Sequence, residues 1–175
     1  IIPTFKTPQA LDLCLRSAIE GQTKENEILV IVDGTLENNK DVLSKYYSKI
    51  QPCILDNNVG MSRAQNMGVS LAKNRRILIT NDDNVFPKGW DSVLGKLDIS
   101  NAVYSPNQIE PYDSMFKQFL IKDCGRDPEK FDLKAFWEFE QTQRKDTIET
   151  TGSTYPIYMN RLNYLSCGGF DPEYP

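Results

Sequence analysis

Residues 77–84, Ile77-Leu78-Ile79-Thr80-Asn81-Asp82-Asp83-Asn84, join an apolar, largely β-branched run to a cluster of short acidic and amide side chains. Continuous apolar runs belong to strands buried on both faces, and the tip of a parallel strand is where an α/β sheet opens to its ligands. Two adjacent carboxylates at such a tip repel each other and call for a cation. A hard divalent metal bridging them to a phosphate is one reason to place them so. A solvated turn in which Asn81 and Asp82 cap the following helix is the other.

Upstream of this run, strand and helix patterns alternate. Ile1, Ile2 and Phe5 predict a short strand, and Pro8 opens a helix with Leu11, Cys14, Leu15, Ala18 and Ile19 on one face. Gly21 stops it. Ile28 to Val32 predicts a buried strand, Val42, Leu43, Tyr46, Tyr47 and Ile50 a second amphipathic helix, and Cys53 to Leu55 a third strand. Ala64, Met67, Gly68, Leu71 and Ala72 mark a third helix, Arg76 to Thr80 the fourth strand, and Trp90, Val93, Leu94 and Leu97 another helix. This order implies a parallel sheet with right-handed crossovers.

Past residue 100 the pattern changes. Ala102 to Ser105 predicts a strand, and residues 107–132 are irregular and polar. Leu133 to Gln141 carries Phe136, Trp137 and Phe139. Tyr155 to Met159 is strand-like, and Asn160 can cap a helix through Leu165 that ends at Gly168 and Gly169.

The 175 residues suit one domain. A formal charge of -4 with no basic stripe argues against nucleic acid as a partner. No apolar run approaches the ~20 residues of a membrane span, and no signal peptide is visible. The chain contains no histidine, which excludes a His-ligated zinc site, a Ser-His-Asp triad and a Cys-His dyad within it. Its four cysteines, Cys14, Cys53, Cys124 and Cys167, form no C-x-x-C and read as core thiols of a reducing compartment. The opening Ile1-Ile2-Pro3 resembles mid-strand and the closing residues 170–175 a loop in progress, so a fragment of a longer protein is expected.

The strand tips carry Thr4, Phe5 and Lys6, then Asp33, Gly34 and Thr35, then Asp56, Asn57 and Asn58, then Asn81, Asp82 and Asp83. Polar groups on four successive tips define a ligand crevice. Asp, Asn and Gly also favour turns, and that reading suits Lys6 and Asn57, whereas Asp33 and Asp83 read as ligand groups. Residues 58–68, Asn58-Val59-Gly60-Met61-Ser62-Arg63-Ala64-Gln65-Asn66-Met67-Gly68, enter a helix through a glycine turn. Free N–H groups of its first turn and the Arg63 guanidinium could hold a diphosphate; the alternative is an exposed Arg on a helix that packs through Ala64 and Gly68.

In this order, Pro3-Thr4-Phe5, Val32-Asp33-Gly34-Thr35, residues 58–68, Asn81-Asp82-Asp83 and Gly168-Gly169-Phe170-Asp171 resemble the family 2 glycosyltransferases of GT-A fold. The resemblance implies an α/β, Rossmann-like sandwich with a mainly parallel central sheet and helices on both faces. It implies a donor-binding half over residues 1–100 and an acceptor-side half, cut short, over residues 101–175 of the same domain. Phe5 would stack on the nucleotide base, with backbone contacts from Pro3 and Thr4. Asp33, the one Asp kept of the family's D-D-G-S, would bind the base. Asn58, Gly60, Arg63 and Asn66 fall in the family's N-x-G-x-[SA]-x-A-R-N segment, where Gln65 replaces the Arg. Asn81 and Asp82 fall in its D-x-D motif on the donor side, with Asp82 on the ribose. Asp83 inherits the metal, Mn2+ or Mg2+.

Gly168 and Gly169 would bring backbone close to the sugars, with Trp137 as a platform for a sugar face or a core aromatic. The family's catalytic carboxylate normally follows later, so the base is expected beyond Pro175, with Asp171 the candidate inside this chain. The implied reaction moves a sugar from a nucleoside diphosphate sugar, UDP-sugar preferred, to the hydroxyl of a glycan, lipid-linked or protein acceptor, with inversion. A cytoplasmic location, at the inner face of a membrane or free of it, goes with this reading. A non-catalytic nucleotide- or glycan-binding remnant is the alternative. A sugar-nucleotide pyrophosphorylase would need a Gly-rich basic loop where Pro3 to Pro8 stands.

Overall fold

The structure is a computed structural model that describes residues 1–34, 36–112, 120–145, 147–149 and 155–173. Thr35 and residues 113–119, 146, 150–154 and 174–175 lie outside the described residues. The first half is strictly alternating: β1 (Ile2–Thr4), α1 (Pro8–Gly21), β2 (Leu29–Asp33), α2 (Leu36–Lys45), β3 (Gln51–Leu55), α3 (Met61–Leu71), β4 (Arg76–Ile79) and α4 (Trp90–Gly95). Two-residue strands β5 (Ile109–Glu110) and β6 (Leu120–Ile121) follow, then α5 (Leu133–Gln143), β7 (Ile157–Asn160) and α6 (Arg161–Ser166).

β1, β2 and β3 pair in parallel, and β4 pairs antiparallel with β7. Two bonds at the start of the chain join these ladders. The Ile1 ammonium donates to Leu78 O at 2.8 Å and Thr80 N donates to Ile1 O at 3.1 Å. That pattern sets Ile1 opposite Ile79 in the parallel sense. The strand order is therefore β3-β2-β1-β4-β7, with four parallel strands and β7 running back. Apolar side chains alternate across the sheet. Ile2, Val30 and Val32 pack with Leu11, Leu15 and Leu43 of α1 and α2, while Leu29, Ile77, Ile79 and Met159 pack with Val69 of α3 and Tyr164 of α6. Gly68 permits the second contact, because a Cβ there would sit 2.3 Å from Ile1 Cγ2 and 3.2 Å from Ile31 Cγ1.

Three sequence expectations shift. The second helix ends at Lys45, so Tyr46, Tyr47 and Ile50 leave its face. The chain turns there, with Lys49 N on Tyr46 O at 2.8 Å, to start β3 beside Ile28. Ile50 swings into the core while Tyr47 is left 75% exposed. Ala102 to Ser105 supplies only a single antiparallel bridge, Tyr104 to Tyr158. All four cysteines are free thiols, but Cys167 lies exposed just past α6 rather than in the core. Asn160 caps α6 as expected, its Oδ1 accepting Leu162 N at 2.9 Å.

Asp91, in the first turn of α4, ties down the loop between α1 and β2. Its carboxylate accepts Thr23 N at 2.8 Å, Thr23 Oγ1 at 3.0 Å, Lys24 N at 3.1 Å and Asn26 Nδ2 at 3.1 Å. Burial alone works against the charge, but the bonds from Thr23, Asn26 and Lys24 outweigh it and hold the carboxyl below its usual range. The stabilisation is thus present above the unfolded carboxylate range and is lost as pH falls through the folded value. Asp91→Ala is expected to cost about 2–3 kcal/mol at pH 7, the scale of orphaned donors to a charged acceptor. Urea denaturation from pH 7 down to about pH 3 checks this: the gap between wild type and variant must narrow towards the acid end.

Candidate active site

The four parallel strands end on one edge, and a single side chain organises it. Asp33, at the tip of β2, is 4% exposed, and its two oxygens accept Val59 N at 2.7 Å and Gly60 N at 3.1 Å. Gly34 follows at φ +86°, where a Cβ would stand 2.3 Å from Asn58 N. The tip of β2 and residues 57–60 therefore interlock, and Gly60, at φ +87°, turns the chain into α3. Beside them Pro3 and Thr4 are buried in β1, Phe5 is 40% exposed with the Lys6 ammonium 4.9 Å from its ring centroid, and Lys6 takes φ +57°. The structure thus brings Phe5, Asp33, Asn58 and Gly60 to the same edge.

The acid pair stands at the neighbouring tip of β4. Thr7 donates its hydroxyl to Asp82 Oδ2. Burial pushes the Asp82 carboxyl above its ordinary range; hydrogen bonds from Thr4 and Thr7 oppose this, and the negative Asp83 adds to it. Asp83 is exposed, and its Oδ1 accepts Asn84 Nδ2 at 3.1 Å. Asn81 Oδ1 is buried without a partner. Among the described residues, no Lys or Arg pairs with either acid. The helix-cap alternative is set aside, because α4 begins only at Trp90 and takes Gly89 as its N-cap.

Two adjacent carboxylates form a hard oxygen donor set, which fits Mg2+ or Mn2+. No group of three or more His, Cys, Asp or Glu is gathered among the described residues. Such a cation would be held by Asp83 with Asp82 beside it, the remaining positions falling to phosphate oxygens and water.

The chain leaving the acid pair is gripped from two sides. Phe86 N donates to Ser17 Oγ of α1 at 2.9 Å, and Trp137 Nε1 of α5 donates to Phe86 O at 2.9 Å. Arg144, itself held by Glu140, donates to Lys88 O, and Gly89 N donates to Gly21 O at 2.6 Å. Trp137 also carries the Lys88 ammonium 4.6 Å from its ring centroid. Its N–H and one ring face are therefore committed to bracing this loop, which corrects the expectation of a free sugar platform on that face.

Arg63 and Asn66 also differ from expectation. Both point from α3 to the chain after α6. Asn66 Nδ2 donates to Phe170 O at 2.8 Å, while its Oδ1 accepts Phe170 N at 3.0 Å and Tyr164 OH at 2.6 Å. Gly169 is fitted against this amide, since a Cβ would lie 2.6 Å from Asn66 Oδ1. Gly168 faces open space. Arg63 Nε donates to Pro172 O at 3.1 Å, with Glu173 Oε1 3.6 Å from the guanidinium. In this structure Asn66 clasps Phe170 of the Gly-Gly-Phe-Asp segment and Arg63 the two residues that follow it, Pro172 and Glu173. Asp171 is exposed, with Oδ1 accepting Glu173 N at 2.9 Å.

Sequence reasoning passed over Thr7, Ser17 and Tyr155. Thr7 stood one residue before Pro8, in what looked like a simple helix start. Tyr155 reaches this edge only because β7 runs antiparallel, and nothing local in the sequence states a strand's direction. A cavity of about 470 Å³ lies elsewhere, lined by Ile1, Leu29, Ile77, Leu78, Trp90 and Tyr158 among others; Phe5, Asp33, Asn58, Asp82 and Asp83 are not part of its wall.

The mainly parallel sheet with helices on both faces is that of the GT-A glycosyltransferases, whose solved structures it matches. The family model for glycosyl transferase family 2 matches residues 1–161, and the chain belongs to that family. A cholesterol galactosyltransferase of Borreliella burgdorferi is 26% identical over 167 residues, covering 94% of this chain and 44% of the relative. The uncharacterized glycosyltransferase YibD of Escherichia coli is 28% identical over 98 residues, 54% of this chain and 28% of its own. The chain thus spans less than half the length of these relatives. Among solved structures, Staphylococcus aureus TarS 1-349 in complex with UDP has a TM-score of 0.64 at 14% identity over 99% of this chain and 49% of its own. Mannosyltransferase PcManGT from Pyrobaculum calidifontis, in complex with GDP-Man and Mn2+, has a TM-score of 0.63 at 14% identity, covering 98% and 46%. These two likenesses establish the shared fold.

Asn66→Ala removes both the donor and the acceptor that hold Phe170. It is expected to raise amide exchange across residues 164–173 by at least tenfold, the equivalent of roughly 1.4 kcal/mol of local opening, while β1 to β4 keep their protection. Hydrogen-exchange mass spectrometry reads both regions in one experiment.

Proposed function

We propose that this domain transfers a sugar from a nucleoside diphosphate sugar to an acceptor hydroxyl, with a divalent cation. The observation that carries the reading is the Asp82–Asp83 pair at the β4 tip. It lies one strand from Phe5 and two from Asp33, with no cation paired to it among the described residues. Residues 1–100 hold the donor, and residues 101–175 shape the acceptor side.

The base lies against Phe5, and Asp33 accepts a base N–H through lone pairs that Val59 and Gly60 leave unused. UDP fits this best, because the family uses it most often. Asp82 faces the ribose and Asp83 holds the cation. When bound, that cation would offset charge on the departing diphosphate. A carboxylate takes the acceptor proton as the anomeric carbon inverts in a single displacement. Asp171 is the candidate within this chain for that role. No helix among the described residues is long and apolar enough to cross a membrane. A binding-only role is the second reading; the specific observation behind it is Gln65, which stands in the place of the family's Arg and is spent on Tyr155.

Asp83→Asn keeps the side chain's shape and removes the charge. Isothermal calorimetry with UDP, with and without Mn2+, is expected to show a metal-dependent gain of about tenfold or more in wild type, roughly 1.4 kcal/mol. The variant is expected to lose that gain with an unchanged circular dichroism spectrum. An equal gain in both proteins removes Asp83 from the metal site. Hydrolysis of the sugar nucleotide measured alongside separates transfer chemistry from binding alone.

A further inference from the structure

The hydroxyl of Tyr155 has no assigned role, yet its placement is specific. In the β4–β7 ladder Ile79 faces Ile157. Tyr155 lies two residues before that ladder begins, on the sheet edge where β4 ends, near enough for Asp82 and Asp83 to act on its phenol. The ring packs against the cluster of Val69, Ile79, Met159 and Tyr164. Gln65, only 3% exposed, donates Nε2 to the Tyr155 oxygen at 3.0 Å. A phenol that accepts one bond still has its own proton to donate. Among the described residues no acceptor is placed for it. At the start of the acid cluster after β4, Asn81 Oδ1 is a buried acceptor without a partner. A buried polar atom left unpaired, as Asn81 Oδ1 is, and a half-buried hydroxyl with a proton still to give mark places where a further partner belongs.

The order of strands says which partner. Along the sheet edge the groups run from Asp33 on β2, through Phe5 after β1 and the acids after β4, to Tyr155 before β7. A nucleoside diphosphate sugar laid with its base on the first two and its diphosphate on the acids brings its sugar to the fourth. We infer that Tyr155, oriented by Gln65, donates a hydrogen bond to a hydroxyl of the transferred sugar; this rests on the donor-site reading above. Burial pushes the phenol well above its usual value; the bond from Gln65 works against this, and the nearby Asp83 and Asp82 add to it. Tyr155 therefore keeps its proton and acts as a donor, never as a base.

Binding titrations in Mn2+ test this with UDP, GDP, UDP-glucose, UDP-galactose, UDP-N-acetylglucosamine and GDP-mannose. Tyr155→Phe removes one oxygen and keeps the ring. It is expected to weaken the best sugar nucleotide by about five- to tenfold, the usual worth of one hydrogen bond, and to leave the parent nucleoside diphosphate unchanged. An equal loss on both ligands, or no loss on either, overturns the inference. Should that variant fail to fold, Gln65→Met, which keeps the side-chain volume and removes the orienting donor, is judged by the same selectivity. Wild type that binds none of the six ligands overturns the donor-site reading itself, and this inference with it. Wild type that binds while Tyr155→Phe matches it overturns this inference alone.

Discussion

The grip of the buried Asp33 carboxylate on the amides of Val59 and Gly60 is the constraint on which the site depends. It uses the free N–H groups at the entrance of α3 and so fixes where that helix starts. Much of the remaining geometry is then carried by α3. Gly68 lets it settle on Ile1 and Ile31, Gln65 reaches Tyr155, Asn66 holds Phe170 of the Gly-Gly-Phe-Asp segment, and Arg63 holds Pro172 just after it. A carboxylate at the tip of β2 thus governs the position of a turn more than 130 residues later in the chain. Asp33 holds the helix entrance, and the proposed contact with the base would be a second task for it.

The acid pair is held differently. Asp82 is partly withdrawn from water, which makes its carboxyl harder to ionise, and the Thr7 hydroxyl that it accepts works against this, while Asp83 faces solvent. One acid is anchored and the other is open to a ligand. The loop beyond them has little freedom, since the N–H and C=O of Phe86 are both taken by side chains, from Ser17 of α1 and Trp137 of α5. Helices separated by more than 100 residues thereby brace one turn, and preorganised carboxylates of this kind lose little when a cation arrives.

The sheet was legible in the sequence because β2, buried on both faces, and the apolar part of β4 appear as continuous apolar runs, and the helices carry stripes at 3.6-residue spacing. Ile28 to Val32 is offset from the observed strand by one residue at each end, and Arg76 to Thr80 overruns it by one. The edge residues Phe5, Asp33, Asp82 and Asp83 were also legible, because strand tips are where an α/β sheet presents polar groups. What local pattern did not contain was the partner of each side chain. Asn66 and Arg63 look like ligand groups beside a glycine turn, but their partners, Phe170 and Pro172, lie more than 100 residues away. Trp137 sits in an aromatic helix with no mark of the carbonyl that it holds. Tyr46 and Tyr47 continue a helical stripe past the point where the chain must turn to begin β3. In each case a long-range contact overrode a local signal.

The central claim, that the edge formed by β2, β1, β4 and β7 receives a nucleoside diphosphate with its cation at Asp83, is tested most directly by crystals grown with UDP and MnCl2. Anomalous diffraction locates manganese independently of any interpretation of the ligand. The account predicts a peak at about 2.2 Å from an Asp83 carboxylate oxygen, bridged to the diphosphate, with the uracil against Phe5. Nucleotide bound at this edge with no manganese on Asp83, or bound at another face of the sheet, would contradict it.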